Sequence, residues 1–154
     1  MKIAVPTESY PGEARVAISP DTVKAYVKKG LSVAVQAGAG AGSHIPDDYY
    51  KAAGAEIVKG DQVVKDADIV LTVRRPSDAV LKALKPGAVL AGGLDPYGER
   101  KGLEALAKSK AHLFAMELMP RITRAQVMDV LSSQANLAGY RAVVEAAEAF
   151  GRAF

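Results

Sequence analysis

Apolar and polar residues follow one another along this chain in short blocks, and the blocks predict a regular succession of strands and helices. Lys2 to Val5 reads as a first strand, and the polar stretch 6–19 as the loop after it. Ser19-Pro20-Asp21 has the chemistry of a helix start: a hydroxyl that accepts from free N–H groups, a proline with φ already set, and an early acid. Val23, Tyr26 and Val27 give that helix one apolar face, and Gly30 suits the left-handed residue at its end. Leu31 to Gln36 alternates, with Leu31, Val33 and Val35 on one side, which is strand periodicity. A short helix over Asp47 to Ala53 stops at Gly54, and Glu56 to Val58 makes a small strand.

Asp68 to Val73 is almost continuously apolar, as a parallel strand covered on both faces requires. Ser77 to Leu84 predicts a helix stopped by Lys85-Pro86-Gly87, Ala88 to Ala91 a strand, Glu99 to Lys108 a helix, and Leu113 to Met116 the last strand. Pro120 removes a backbone donor and ends that strand, and Thr123 with Gln126 has capping-box spacing, so a helix is expected from Thr123. Beyond Asn136 the stripe Leu137, Tyr140, Val144, Ala147, Gly151 and Phe154 stays helical to the final residue with no stop signal. That pattern suggests a longer polypeptide, or a partner for the apolar face. Alternating strands and helices with short connections predict an α/β fold. It is a doubly wound parallel sheet, Rossmann-like or flavodoxin-like, with helices on both faces and a long C-terminal helix. Ligands of such sheets bind beyond the carboxyl ends of the strands. Here those ends are the loops 6–19, 37–46, 74–76, 92–98 and 117–123.

Composition narrows the chemistry. At 154 residues and 49% hydrophobic the chain suits one domain with a real core. The absence of cysteine excludes a disulfide scaffold, thiolate metal sites and a cysteine nucleophile. His44 and His112 lie too far apart in sequence to suggest a metal pair; His112 reads as a strand-end residue. Twenty basic and 17 acidic residues, scattered along the chain for a net charge of +3, give no footprint for nucleic acid. No window approaches the roughly 20 apolar residues of a membrane span, and the N-terminal apolar run stops at Pro6, too early for a signal peptide. A soluble, cytoplasmic chain is the expectation.

Polar chemistry concentrates between Glu117 and Tyr140. Arg121, Gln126, Asp129 and Ser132 fall around a helix start and could converge on one small polar ligand. A primary carboxamide would suit them, with Arg and Ser donating to its oxygen and Asp accepting from its NH2. The same residues could equally serve the chain alone, as helix caps and a surface ion pair. Spacing does not choose between these readings. A second candidate, Gly38-Ala39-Gly40-Ala41-Gly42-Ser43, follows a strand as a dinucleotide fingerprint would. It has Ser43 at the third glycine position, and His44-Ile45-Pro46 delays the helix, so it reads as a tight loop.

Pro120-Arg121-Ile122-Thr123-Arg124-Ala125-Gln126, Asp129 and the run Leu131 to Tyr140 resemble the NAD(H)-binding domain I of the alpha subunit of proton-translocating NAD(P) transhydrogenases. Met1 to Pro20, with Glu8, Gly12-Glu13 and Arg15-Val16-Ala17, together with Gly38-Ala39-Gly40 and Ala53 to Ile57, resembles the pattern that this family shares with alanine dehydrogenases. The resemblance implies a lobe over residues 1–131, then a helix over 132–154 leading toward a second dinucleotide-binding lobe that this chain does not contain. It implies that NADH passes hydride to NADP+ while membrane partners move a proton. NAD(H) would bind here and NADP(H) on a partner subunit. Arg121 and Ser132 would donate to the carboxamide, Asp129 would accept from it, Ile122 and Thr123 would give backbone contacts, and Gln126 would sit at the junction with NADP(H). Gln126, Arg121 and Asp129 would form the catalytic set. Membrane and NADP(H)-binding subunits, a homodimer and peripheral attachment to the membrane through those subunits are further implications.

Two rival readings remain. In alanine dehydrogenases the matching loops carry an arginine and a lysine for the substrate carboxylate, and a later loop a catalytic histidine. Arg15 matches, but the lysine position reads Arg74, the histidine position reads Asp95, and Thr7 stands where lysine is usual. A carboxylate is a poor proton donor near neutral pH. Arg75 is a third candidate anion holder. The other rival is a non-enzymatic module that docks a partner through helix 133–154.

Overall fold

The computed structural model describes residues 1–152. Six strands form: β1 (Lys2–Val5), β2 (Ser32–Gln36), β3 (Glu56–Val58), β4 (Ile69–Leu71), β5 (Val89–Gly92) and β6 (His112–Ala115). They make one sheet in the order β3-β2-β1-β4-β5-β6, every pair parallel. The chain starts in the middle, builds outward to β3, then returns to β4 on the other side of β1. This reversal is the topological switch point of a doubly wound fold.

Side-chain alternation along the central strands splits the core into two. Ile3 and Val5 of β1 with Val33 and Val35 of β2 face one cluster, which α1 (Pro20–Lys28) and α2 (Asp47–Ala52) cover with Val23 and Tyr50, joined by Ala53 just past α2. Ala4, Ala34, Val70 and Leu90 face the other, covered by α3 (Asp78–Ala83) and α4 (Arg100–Lys108) through Val80, Leu81 and Leu106. Helices therefore lie on both faces, as the pattern predicts. A 3-10 segment that the sequence reading does not anticipate, Gly60–Val64, adds the fully buried Val63 and Val64 to this second core.

Local signals place the elements well. Ser19 Oγ accepts from Thr22 N–H at 3.2 Å, Pro20 opens α1, and Gly30 beyond its end has φ +80. Ser77 Oγ caps α3 through Val80 N–H at 3.3 Å. The expected strand over Asp68 to Val73 is shorter, Ile69–Leu71, because side chains take over at its ends. The Asp68 carboxylate accepts Lys2 N–H at 2.6 Å, and the Glu8 carboxylate accepts Val73 N–H at 2.6 Å.

Met1 to Glu117 forms one compact unit, and a second begins at Leu118, fourteen positions ahead of the 131/132 division read from the sequence. The last strand ends at Ala115, and a 3-10 turn (Met116–Leu118) separates it from Pro120, so the proline is not what ends it. The helix expected at Thr123 is a 3-10 segment, Thr123–Met128, with no side-chain cap at its start. The α-helix α5 begins later, spanning Val130–Phe150, because Asp129 rather than Thr123 supplies the capping acceptor. It ends at Gly151, which is left-handed with φ +65, a stop where the stripe reading saw continuation. Phe154, the last position of that stripe, lies outside the described residues.

Gly92 at the end of β5 has a steric reason. A Cβ there would lie 2.4 Å from the Thr72 carbonyl oxygen and 2.5 Å from Thr72 Oγ1. Thr72 is 6% exposed, and its hydroxyl has no partner among the described residues, so it has little room to yield. Gly92→Ala should lower the unfolding free energy by about 1–3 kcal/mol, the usual cost of overpacking. Denaturant unfolding followed by circular dichroism would show a reduced midpoint at unchanged slope.

Candidate functional site

At the switch point the loops after β1 and β4 meet, and Glu8 joins them. Its carboxylate accepts Val73 N–H at 2.6 Å and Arg74 N–H at 3.0 Å. Burial pushes the Glu8 carboxyl above the usual range, and outweighs the two N–H bonds that pull it down. Arg15, a candidate anion holder, is forked onto Glu13: Nε to Oε1 at 2.7 Å and Nη2 to Oε2 at 2.6 Å. That bond holds the Glu13 carboxyl down to about 2.

Arg74 lies over the Tyr10 ring, 4.5 Å from its centroid, a cation–π contact that the sequence reading missed. Arg75 packs its guanidinium against Gly102 of α4, where a Cβ would collide with it. Asp95 is left-handed at φ +52, and its N–H is held by the Glu117 carboxylate at 2.9 Å. Thr7 gives its N–H to Gln36 Oε1 at 2.9 Å.

The glycine-rich loop is packed against its own chain. A Cβ at Gly40 would sit 2.5 Å from the Ile45 carbonyl oxygen, and one at Gly42 2.7 Å from that of Ala14. Ser43 Oγ donates to the same Ala14 oxygen at 2.8 Å. The close approach these glycines permit is thus used by protein backbone.

In the second unit, Asp129 caps α5. Its Oδ1 accepts from Leu131 N–H at 2.9 Å and Ser132 N–H at 3.3 Å, and its Oδ2 from Ser132 Oγ at 2.6 Å. The Ser132 bonds, with smaller help from Leu131 and the positive charge of Arg121, hold the Asp129 carboxyl below the usual range. The Ser132 hydrogen is directed at Asp129, where the sequence reading had directed it at a ligand oxygen, because the i, i+3 spacing at a helix start brings the two together. Ser133 Oγ donates to the Asp129 and Val130 carbonyls, both at 3.2 Å. Ile122 precedes the 3-10 segment in extended conformation, and Thr123 and Gln126 lie in it. Arg121, Thr123 and Gln126 are exposed. Asp129 and Ser132 are therefore joined, Arg121 acts on Asp129 by charge, and no hydrogen bond draws Gln126's side chain to them among the described residues.

A wholly parallel six-stranded sheet with its reversal between β1 and β4 defines a Rossmann-like α/β domain. The chain belongs to the family described as alanine dehydrogenase/PNT, N-terminal domain, whose model matches residues 4–138. Within it the chain groups with the N-terminal portion of transhydrogenase alpha subunits. It is 52% identical to an NAD(P) transhydrogenase subunit alpha protein of Rhodospirillum rubrum, over 100% of this chain and 42% of that protein. The crystal structure of transhydrogenase from Sinorhizobium meliloti superposes with a TM-score of 0.92 at 50% identity, over 99% of this chain and 46% of the other. Alanine dehydrogenase of Mycobacterium tuberculosis is 37% identical over 90% of this chain and 37% of its own length. The chain thus spans less than half the length of these relatives.

The Glu13–Arg15 fork makes stability depend on pH. Glu13 has its pKa lowered from 4.5 to about 2, so its contribution is full above pH 4.5 and is lost as the pH falls toward 2. Glu8 has its pKa raised, so it contributes in the opposite sense, with stability lost as the pH rises through its folded value. Glu13→Gln should remove the portion of the acid-induced loss that falls between pH 4.5 and 2, as read from urea midpoints across that range.

Proposed function

We propose that this chain is the first lobe of the NAD(H)-binding component of a proton-translocating NAD(P) transhydrogenase, and that its second unit orients the nicotinamide of NAD(H). The observation that carries this reading is the Asp129 carboxylate. A carboxylate offers about four lone-pair positions, and three are met by Leu131 and Ser132. The remaining one suits an N–H of a primary carboxamide, and exposed Arg121 supplies the donor for its oxygen. Ser132 then serves by fixing Asp129, and Ile122 and Thr123 by backbone contacts. The similarity to transhydrogenase alpha subunits over the whole chain supports the choice of cofactor.

Bound NADH supplies the hydride. Transfer between two nicotinamides requires no protein acid, base or metal, only two rings held close and correctly aimed. Gln126, on an exposed segment three residues before Asp129, is assigned to the junction with NADP(H) held on a partner subunit. The complex so formed is a homodimer of this component joined to membrane and NADP(H)-binding subunits, on the cytoplasmic side. No described helix is long and apolar enough to cross a membrane, and attachment through those subunits is consistent with that.

Gln126→Ala should slow hydride transfer in the assembled enzyme by about 5- to 150-fold, the equivalent of about 1–3 kcal/mol for a lost polar partner. Asp129→Asn keeps a residue that caps helices well but removes the charge, and should weaken NADH binding at least tenfold with α5 intact by circular dichroism. Unaltered transfer and NADH affinity in both variants would refute the assignment. Alanine-dependent NADH formation by the natural polypeptide would favour the dehydrogenase reading instead.

A further inference from the structure

The carboxyl rim of the sheet carries a row of hydrogen bonds that runs past the ends of four strands, β1, β4, β5 and β6, and ends on a carboxylate at each side. Glu8, beyond β1, accepts Val73 and Arg74 N–H at 2.6 and 3.0 Å. The Val73 carbonyl accepts Gly93 N–H at 3.2 Å. The next two N–H groups, Leu94 and Asp95, go to Glu117, beyond β6, at 3.2 and 2.9 Å.

The peptide group between Val73 and Arg74 is therefore bonded at both ends, its N–H to Glu8 and its carbonyl to Gly93. Each bond polarises the group for the other. Steric fit ties the row further. A Cβ at Gly93 would lie 2.8 Å from the Val73 oxygen and 3.6 Å from Glu117 Oε1. At the far end Asp95 is held left-handed at φ +52, an uncommon conformation for a residue with a side chain. Gly98 N–H closes the turn onto the Asp95 carbonyl at 3.0 Å.

We propose that this rim is a coupled latch, in which Glu8 and Glu117 close the two ends of one hydrogen-bonded row, so that displacing either carboxylate loosens both the Val73–Arg74 segment and the Leu94–Asp95 turn. A ligand that engages Glu8 at the switch point is thereby registered at the turn after β5. The bonds on the opposite edge, such as Lys2 N–H to Asp68, stand outside the row.

Amide hydrogen exchange on the full chain tests this. A glutamine cannot accept one N–H on each of its two terminal atoms, as the Glu8 and Glu117 carboxylates do, since one of them is itself a donor. Glu8→Gln should speed exchange at Val73 and Arg74 at least tenfold and at Gly93, Leu94 and Asp95 several-fold. Glu117→Gln should do the converse. The double variant should fall short of the product of the single effects, and Lys2 should stay unchanged in all. If each variant loosens only its own two amides and the effects multiply, the bonds are independent and the latch does not exist. Should a glutamine variant fail to fold, Glu8→Asp and Glu117→Asp, which keep the charge and shorten the reach, give the same comparison.

Discussion

Parallel strands leave their last N–H groups pointing into the loops, and a fold of this class depends on finding acceptors for them. In this chain side chains do so at three of the five junctions between neighbouring strands. Gln36 takes the N–H of Thr7 between β2 and β1, Glu8 those of Val73 and Arg74 between β1 and β4, and Glu117 those of Leu94 and Asp95 between β5 and β6. Asp68 does the same at the opposite end of the sheet for Lys2, with Lys85 on its other oxygen. The ladder is short in backbone terms because acidic and amide side chains continue it. Glu8 shows the balance involved: burial opposes its charge, and it is placed where two N–H groups would otherwise go unmet.

Periodicity made most of the fold legible. Lys2 to Val5 and Glu56 to Val58 are strands where the pattern placed them, and Ser19, Pro20 and Gly30 act at the ends of α1 as their chemistry requires. What was not legible depends on partners distant in sequence. Pairing of the central strand β4 toward β1 stops short because Glu8, 65 positions from Val73, takes the Val73 N–H. The 3-10 turn at Gly60–Val64 exists because Val63 and Val64 find a core on the sheet face, which no local window contains. At Thr123 the capping-box spacing was present, but Asp129, just past the 3-10 segment, offers a carboxylate with three donors within reach, and the α-helix starts there.

The candidate site was legible to a different degree in its two halves. Arg15, Arg74 and Arg75 were identifiable as cations on loops, but their state was not. Glu13 is two residues from Arg15 and open to inspection, whereas Tyr10 meets Arg74 only because β1 and β4 are neighbours. In the stretch around Asp129, residue types and spacing admitted both a helix cap and a ligand site. The structure shows the cap. Similarity over the whole chain to transhydrogenase alpha subunits is what supports the ligand.

The cap at Asp129 and its proposed ligand role are compatible, and the first sharpens the second. Capping bonds from Leu131 and Ser132, and the nearby positive charge of Arg121, keep its carboxyl ionised well below neutral pH. An ionised carboxylate only accepts. On the transhydrogenase reading it therefore takes an N–H of the nicotinamide carboxamide and repels a ring that carries a carboxylate in the same place. Ser132 contributes by using its hydrogen on Asp129, which fixes the remaining lone pair in direction. A helix start that serves only its own stability would need an acceptor and nothing more. On the proposed reading an amide also needs that acceptor held in charge and in orientation, and the capping bonds at Asp129 would serve both.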